Sequence, residues 1–193
     1  MWGLPDEHQL LKSFSSGDLS SIDALIALYE DDLFNLCCKL HRNRADAEDL
    51  YQQTWVKVVR SARTYRHKSF KNWLYTICLN VYRDGWRRDK LRWHISGGVV
   101  GEGALEYALE STTESVSAES MAMDNLTQRV LAEKVDLLPD KLRLPVILYY
   151  FDDMSYEESA RVLNVPVGTI KSRLNAAKQK LRREMESELD AGY

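Results

Sequence analysis

The stretch Ser155–Leu181, S-Y-E-E-S-A-R-V-L-N-V-P-V-G-T-I-K-S-R-L-N-A-A-K-Q-K-L, constrains the fold more tightly than any other part of the chain. Ser155 and Glu158 have capping-box spacing, which satisfies two backbone donors reciprocally and predicts a helix opening at Tyr156. Tyr156, Ala160 and Leu163 recur at helical spacing. Asn164 tolerates the left-handed backbone that ends a helix. Pro166 cannot continue that helix, but its fixed φ suits the start of another. A second helix then runs from about Val167 to Leu181, with Ile170, Leu174, Ala177 and Leu181 inward. Two short helices joined in this way make a helix-turn-helix.

Charge gives this motif a direction. Ser159–Arg183 holds seven cations (Arg161, Lys171, Arg173, Lys178, Lys180, Arg182, Arg183) and no acid. Such a face suits a phosphate backbone, with the second helix in the major groove and its first turns at base edges. The plainer alternative is a solvated basic face on an amphipathic helix pair. The net charge of −3 hides a sharp alternation. Residues 1–56 hold four Lys/Arg against ten Asp/Glu, residues 57–93 hold eleven against two, and residues 94–126 hold none against six. Two basic blocks separated by an acidic one predict two nucleic-acid contacts on two bodies.

Leu138-Pro139, Ser155-Tyr156-Glu157-Glu158 and the run Val165-Pro166-Val167-Gly168-Thr169-Ile170-Lys171-Ser172-Arg173 together resemble the C-terminal domain of an alternative sigma factor. The resemblance is to the extracytoplasmic-function (ECF) group of the sigma-70 family. It covers Leu10–Arg92 and Leu126–Met185, with the motifs in the family's order. Two departures stand out: Ser159 occupies a usually aliphatic position, which should weaken local packing. Asn175 and Ala176 occupy positions often aromatic or basic, which alters the reach or preference of the second helix.

The periodicity predicts an all-α chain of two small helical domains, residues 1–93 and 126–193, joined by a flexible acidic linker over 94–125. A short helix around Leu10, Leu11 and Phe14 stops at Ser15-Ser16-Gly17-Asp18. Ser20 or Ser21 caps the next, in which Ile22, Leu25, Ile26, Tyr29, Leu33, Leu36, Cys37 and Leu40 face inward and Glu30, Asp31 and Asp32 outward. After a break at residues 41–44, a third helix spans about Ala45–Ala62 and opens on acids that complement its dipole. Leu50, Trp55, Val58 and Val59 point inward; Tyr51, Gln52, Gln53 and Thr54 include its exposed side. Thr64–Ser69 is a basic loop with an aromatic. A fourth helix follows from Phe70 to roughly Trp93, burying Phe70, Trp73, Leu74, Ile77, Val81 and Leu91. Tyr82, Trp86 and Trp93 fit either core or surface. Four glycines between 97 and 103 and a Ser/Thr/Glu-rich stretch argue against structure in the linker. In the second domain Leu126, Val130, Leu131, Val135 and Leu138 form one helix. Leu142, Pro145, Val146, Leu148, Tyr149 and Phe151 form another, broken at Asp152-Asp153, and a polar tail begins at Glu184.

The resemblance implies roles for named residues. The segment D-A-E-D-L-Y-Q-Q-T-W would dock on the clamp helices of the largest subunit of core RNA polymerase through Asp46, Glu48, Asp49, Leu50, Gln52 and Gln53. The loop Arg66, His67, Lys68, Ser69, with Asn80, would read the melted downstream promoter element. Arg83, Arg87 and Arg88 would hold its phosphates, since single strands want rings for bases and cations for backbone. In the second helix of the motif, Gly168 and Thr169 offer amides to a phosphate, and Lys171, Ser172 and Asn175 face base edges of the double-stranded upstream element. Arg173 and Lys178 flank them on the strands. The linker is either a channel-threading segment, as in the family, or a solubilising tether. An anti-sigma factor is an implied partner.

Other classes fit less well. His8, His41, His67 and His94 are scattered, and no nucleophile motif or phosphate-cradling glycine loop appears, so no catalytic residue, metal or cofactor is expected. Asp46, Glu48 and Asp49 do not make a metal cluster, because adjacent helical residues diverge. No apolar run reaches membrane-span length and no signal peptide is evident, which points to the cytoplasm. Cys37, Cys38 and Cys78 lack metal-ligand spacing and read as small core residues. A helix-turn-helix regulator that is not a polymerase subunit is the alternative function.

Overall fold

Apolar residues at three- and four-residue spacing build every regular element among the described residues, and all are helical. The computed structural model describes residues 7–66, 69–95 and 130–191, with no side-chain description for 19, 89–95 and 187–191. The chain divides into two units, residues 1–111 and 112–193.

In the first unit α1 (Glu7–Ser16), α2 (Ile22–Leu40), α3 (Arg44–Arg60) and α4 (Phe70–Ile95) close on one core. Gly17 ends α1 at φ 90°, a backbone that side chains avoid, and a Cβ there would lie 2.8 Å from Nε of Arg63. Phe14 at the end of α1 is fully buried against Tyr65, Phe70 and Trp73, with ring centroids 6.4, 5.8 and 6.0 Å away. Tyr29 of α2 adds a fifth ring, 5.0 Å from Phe70. Edge-on and tilted contacts of this kind add to the area burial of each ring. Deeper in, Leu33, Leu36 and Cys37 of α2 are buried, as are Leu74, Cys78 and Leu79 of α4. The Cys37 and Cys78 sulfurs lie 3.8 Å apart.

Several local expectations need correction. Ser21 stands at the N-cap of α2, but its backbone is already helical and its hydroxyl donates to the Asp18 carbonyl instead. Asp18 accepts from the Ser20 amide at 2.9 Å in the 3-10 turn Leu19–Ser21 that leads into α2, and that hydrogen bond holds its carboxyl below its ordinary pKa. Ile22 and Ile26 are only half-buried, and Cys38 is exposed while its neighbour Cys37 is core. Thr54, assigned outward, is fully buried and bonds the Leu50 carbonyl at 2.7 Å. Tyr65, placed in a basic loop, is core. α4 buries more than the expected stripe, because Tyr75 and Tyr82 are also inside while Trp86 is 62% exposed. The burial of Leu91 and Trp93 lies outside the described side chains, as does Leu126. The linker lies outside the described residues except for 94 and 95, which continue α4.

The second unit holds α5 (residues 130–136), α6 (Asp140–Val146), α7 (Tyr156–Leu163) and α8 (Val167–Ala191). α6 runs on as a π-helical turn, Ile147–Phe151, closed by the Asp152 amide on the Ile147 carbonyl at 3.1 Å. Ile147 and Leu148 are buried there, whereas Phe151 is 47% exposed. Leu131 lies on the exposed side of α5. Arg143 is buried at the heart of this unit, with Asp136 3.9 Å and Asp140 3.6 Å away. A charge in that position needs such carboxylates, because desolvation would otherwise destabilise it strongly. The capping box at Ser155 forms in both directions, and Asn164 takes the left-handed conformation, φ 54° and ψ 53°. α8 continues ten residues past Leu181. Its apolar stripe ends there, but Arg, Glu, Met and Leu are strong helix formers, and Lys180 pairs with Glu184 one turn on at 3.7 Å.

Two changes test this packing. Phe14→Ala removes the ring on which three others rest and should cost about 3–5 kcal/mol of first-unit stability, read by urea unfolding. Ser159 is fully buried in α7 with its hydroxyl unpaired among the described residues. Ser159→Ala should therefore stabilise the second unit by about 1 kcal/mol, and a loss in the same assay would show the hydroxyl to be satisfied.

Candidate nucleic-acid interface

Three surfaces carry the residues singled out from the sequence. The first lies on α4 and the loop before it. Tyr65 and Phe70, which flank the segment 66–69 in sequence, are both buried in the aromatic core with centroids 5.7 Å apart. Ser69 lies at the start of α4, and its side chain accepts from the Asn72 amide at 3.3 Å. Arg66 is exposed, though one guanidinium nitrogen donates back to the Tyr65 carbonyl at 2.6 Å. His67 and Lys68 lie outside the described residues. Between Trp73 and Tyr82 every residue is buried or half-buried except Asn80, which is exposed. An amide on an otherwise wrapped helix presents two donors and an acceptor to a ligand from a rigid support. One turn on, Arg83 is half-buried, whereas Arg87 and Arg88 are exposed. Asp84 sits 3.7 Å from Arg87 and 3.8 Å from Lys57 and tempers this basic region. Trp86 projects among these cations, which resolves its ambiguous assignment in favour of the surface.

The second surface is the outer face of α3. Asn43 caps the helix, its side chain accepting from the Ala45 amide at 2.8 Å. Asp46, Asp49, Gln52 and Gln53 are exposed. Glu48 is exposed too, but it is engaged by Arg44 at 2.9 Å. Leu50 does not belong to this surface: at 4% exposure it anchors α3 from beneath. Val56, unremarked in the sequence, is 50% exposed and completes the stripe Asp49, Gln52, Gln53, Val56. Spacings of three, four and seven keep these four on one face. Its signal was readable, since Val58 occupies the inward position and Val56 stands two residues away.

The third surface is α8. Ile170, Leu174 and Ala177 are buried, which turns Lys171, Ser172, Asn175 and Lys178 to solvent and leaves Arg173 half-buried on the opposite flank. Gly168 is exposed, with open space where a Cβ would sit. The Thr169 amide, expected to meet a phosphate, is instead donated to the Pro166 carbonyl at 2.9 Å. The Ser172 hydroxyl donates to the Thr169 carbonyl at 3.0 Å. Lys171 and Lys178 are seven residues apart, about 20° short of two full turns. They therefore share one flank, whereas Arg173 lies on the far side of the exposed face.

Each of these surfaces lies within a region matched by a known family. Residues 25–92 match Sigma-70 region 2, and residues 128–181 match Sigma-70, region 4. The chain is 27% identical over 176 residues to the ECF RNA polymerase sigma factor SigW of Bacillus subtilis, covering 91% of this chain and 94% of that protein. It is 32% identical to the ECF RNA polymerase sigma factor SigE of Mycolicibacterium smegmatis, covering 85% of this chain and 61% of that one. Among solved structures, a sigma factor RpoE in complex with the anti-sigma factor NepR from Bartonella quintana has a similar fold. Its TM-score is 0.68 at 23% identity, over 86% of this chain and 96% of that one. CnrH in complex with the cytosolic domain of CnrY aligns with a TM-score of 0.65 at 20% identity, over 94% and 97%. With a region 2 and a region 4 in order on one chain, and full-length similarity to such factors, the chain belongs to the ECF RNA polymerase sigma factors of the sigma-70 family.

Proposed function

We propose that this chain recruits core RNA polymerase through α3 and reads promoter DNA with α4 and α8, so that residues 1–93 and 126–193 act as separate reading heads. The observation that carries this reading is the exposed stripe on α3. A plain helix-turn-helix regulator would need only the second unit, and nothing in its DNA contact calls for Asp46, Asp49, Gln52, Gln53 and Val56 held outward on a capped helix. Acids at a helix N-terminus set the sign of the partner: a basic surface, as clamp helices of the largest polymerase subunit would present. Val56 adds an apolar contact at the far end of the same stripe.

Asn80, with the loop ending at Ser69, is assigned to unstacked bases of the melted downstream strand, and Arg87 and Arg88 to its phosphates. Side-chain amides discriminate base edges, whereas guanidinium groups hold any backbone. On α8, Lys171, Ser172 and Asn175 face the bases of the upstream duplex, with Lys178 and Arg173 on phosphates. The protein acts in the cytoplasm as an initiation factor, and no catalytic step is assigned to it. No helix among the described residues is long and apolar enough to cross a membrane. An anti-sigma factor, like the one that holds the Bartonella quintana protein, is a further proposed partner.

Charge reversal separates docking from folding. Asp46→Lys with Asp49→Lys should lower affinity for purified core polymerase about tenfold, because like charges now meet at the contact. Folding stability should fall by only about 1 kcal/mol, the part that the helix dipole contributes at the first turn of α3, since exposed charges otherwise add little. Retention of full core affinity would remove the docking assignment and leave the plain regulator as the better reading.

The downstream contact divides into reading and anchoring. Asn80→Ala should reduce open-complex formation on some promoter sequences and spare others. Arg87→Ala should weaken all of them and flatten the salt dependence by about one unit of slope. Permanganate footprinting across a promoter panel at several salt concentrations measures both, and identical profiles for the two variants would refute the division.

A further inference from the structure

The two lysines on the outward flank of α8 are each seated on an aromatic ring. Lys171 Nζ lies 5.5 Å from the centroid of Tyr156, in the first turn of α7. Lys178 Nζ lies 5.5 Å from the centroid of Tyr150, in the π-helical turn after α6. The two rings are joined by a third. Tyr149 stacks on Tyr156 at 4.6 Å with planes 7° apart, and meets Tyr150 edge-on at 4.8 Å. A continuous path therefore runs Lys171, Tyr156, Tyr149, Tyr150, Lys178, drawing on three successive elements of the second unit. Tyr150 is 45% exposed, so burial alone does not account for its position. The Tyr150 hydroxyl beside Lys178 also raises that lysine's pKa, keeping the ammonium charged.

Resting on the reading of α8 as a DNA-contacting helix, we propose that Tyr149, Tyr150 and Tyr156 are positioning residues that hold Lys171 and Lys178 ready for DNA. A lysine side chain in solution samples many rotamers and loses that freedom on binding. A ring face attracts the ammonium weakly at an exposed site, enough to bias its rotamers without consuming its donors. Even with one Lys178 donor directed to the Tyr150 hydroxyl, N–H groups remain for a phosphate or a guanine edge, so the ring contact and the DNA contact are compatible. Holding the cation in place beforehand reduces the ordering cost of association. Stacking of Tyr149 on Tyr156 ties the two lysines into one unit, about 10.5 Å apart along α8. The ladder thereby couples a base-edge contact to a phosphate contact on the same flank. It also relates to Asn175 and Ala176: with no long side chain at those positions, the reach of this flank falls to the two held lysines.

A double-mutant cycle on the full-length chain tests this, with a fluorescein-labelled mixed-sequence DNA duplex as the probe and Kd measured over a range of KCl. Lys178→Ala should weaken binding several-fold and reduce the salt slope by about one. Tyr150→Leu should reproduce most of that loss, Tyr150→Phe should retain the parental affinity because it keeps the ring, and Tyr150→Leu with Lys178→Ala should be no worse than Lys178→Ala alone. A parallel cycle of Tyr156→Leu with Lys171→Ala provides a second reading from a different element, and urea midpoints identify any variant whose second unit unfolds. Losses that multiply in both cycles, or a Phe variant as weak as the Leu variant, would overturn the ladder and leave the DNA reading of α8 intact. If neither lysine variant binds more weakly than the parent, both the ladder and that reading fall.

Discussion

Five rings contributed by four separate parts of the chain hold the first unit together. Phe14 closes α1, Tyr29 comes from α2, Tyr65 follows the short turn after α3, and Phe70 and Trp73 open α4. Their burial fixes where α4 begins. Asn80, almost three turns into α4, inherits its position from these contacts. The surrounding aliphatic layer supplies more area.

The same core explains how α4 serves two purposes. Its first half is wrapped by α2 and α3 so completely that Tyr75 reaches across to the Asp32 carbonyl at 3.2 Å and Tyr82 packs on His41 at 5.3 Å. Lys71, one of the cations of the basic block 57–93, is paired with Asp32 at 2.8 Å. Beyond Tyr82 the exposed side chains include Trp86, Arg87 and Arg88. Charge counted along the sequence therefore overstates the contact surface, since part of it is spent on intramolecular pairs within the fold. The acids of α3 divide in the same way, with Glu48 engaged locally and Asp46 and Asp49 outward.

In the second unit the dominant constraint is polar. Arg143 lies at 6% exposure between Asp136 and Asp140, and it ties α5 to α6 beneath the helix-turn-helix. The π-helical turn that follows shifts the register so that Tyr149 and Tyr150 leave the core and meet residues of α7 and α8. π-turns inside helices recur at functional positions for this reason: one added residue redirects the side chains that follow. The sequence contains no clear warning of it, because Pro145 and the apolar run after it are equally compatible with an α-helix.

Local chemistry determined a great deal in advance. The capping box at Ser155, the left-handed Asn164 and the opening of α8 after Pro166 follow from short-range hydrogen bonding and backbone sterics, which act over a few residues and do not wait for tertiary contacts. Helix number, the inward faces of α2 and α8, and the family relationship were legible for the same reason: period and motif are written along the chain. What only the tertiary structure decided concerns residues whose neighbours are distant in sequence. Thr54 reads as outward, Tyr65 as part of a loop and Tyr82 as either core or surface, yet each is buried because another part of the fold lies against it. Leu131, Phe151 and Val56 are apolar, yet they are exposed because nothing among the described residues packs over them fully. The pairing of Lys171 and Lys178 with tyrosines from two other elements belongs to this second class. Periodicity can place a residue on a face of its own helix, but only three-dimensional packing determines what that face meets.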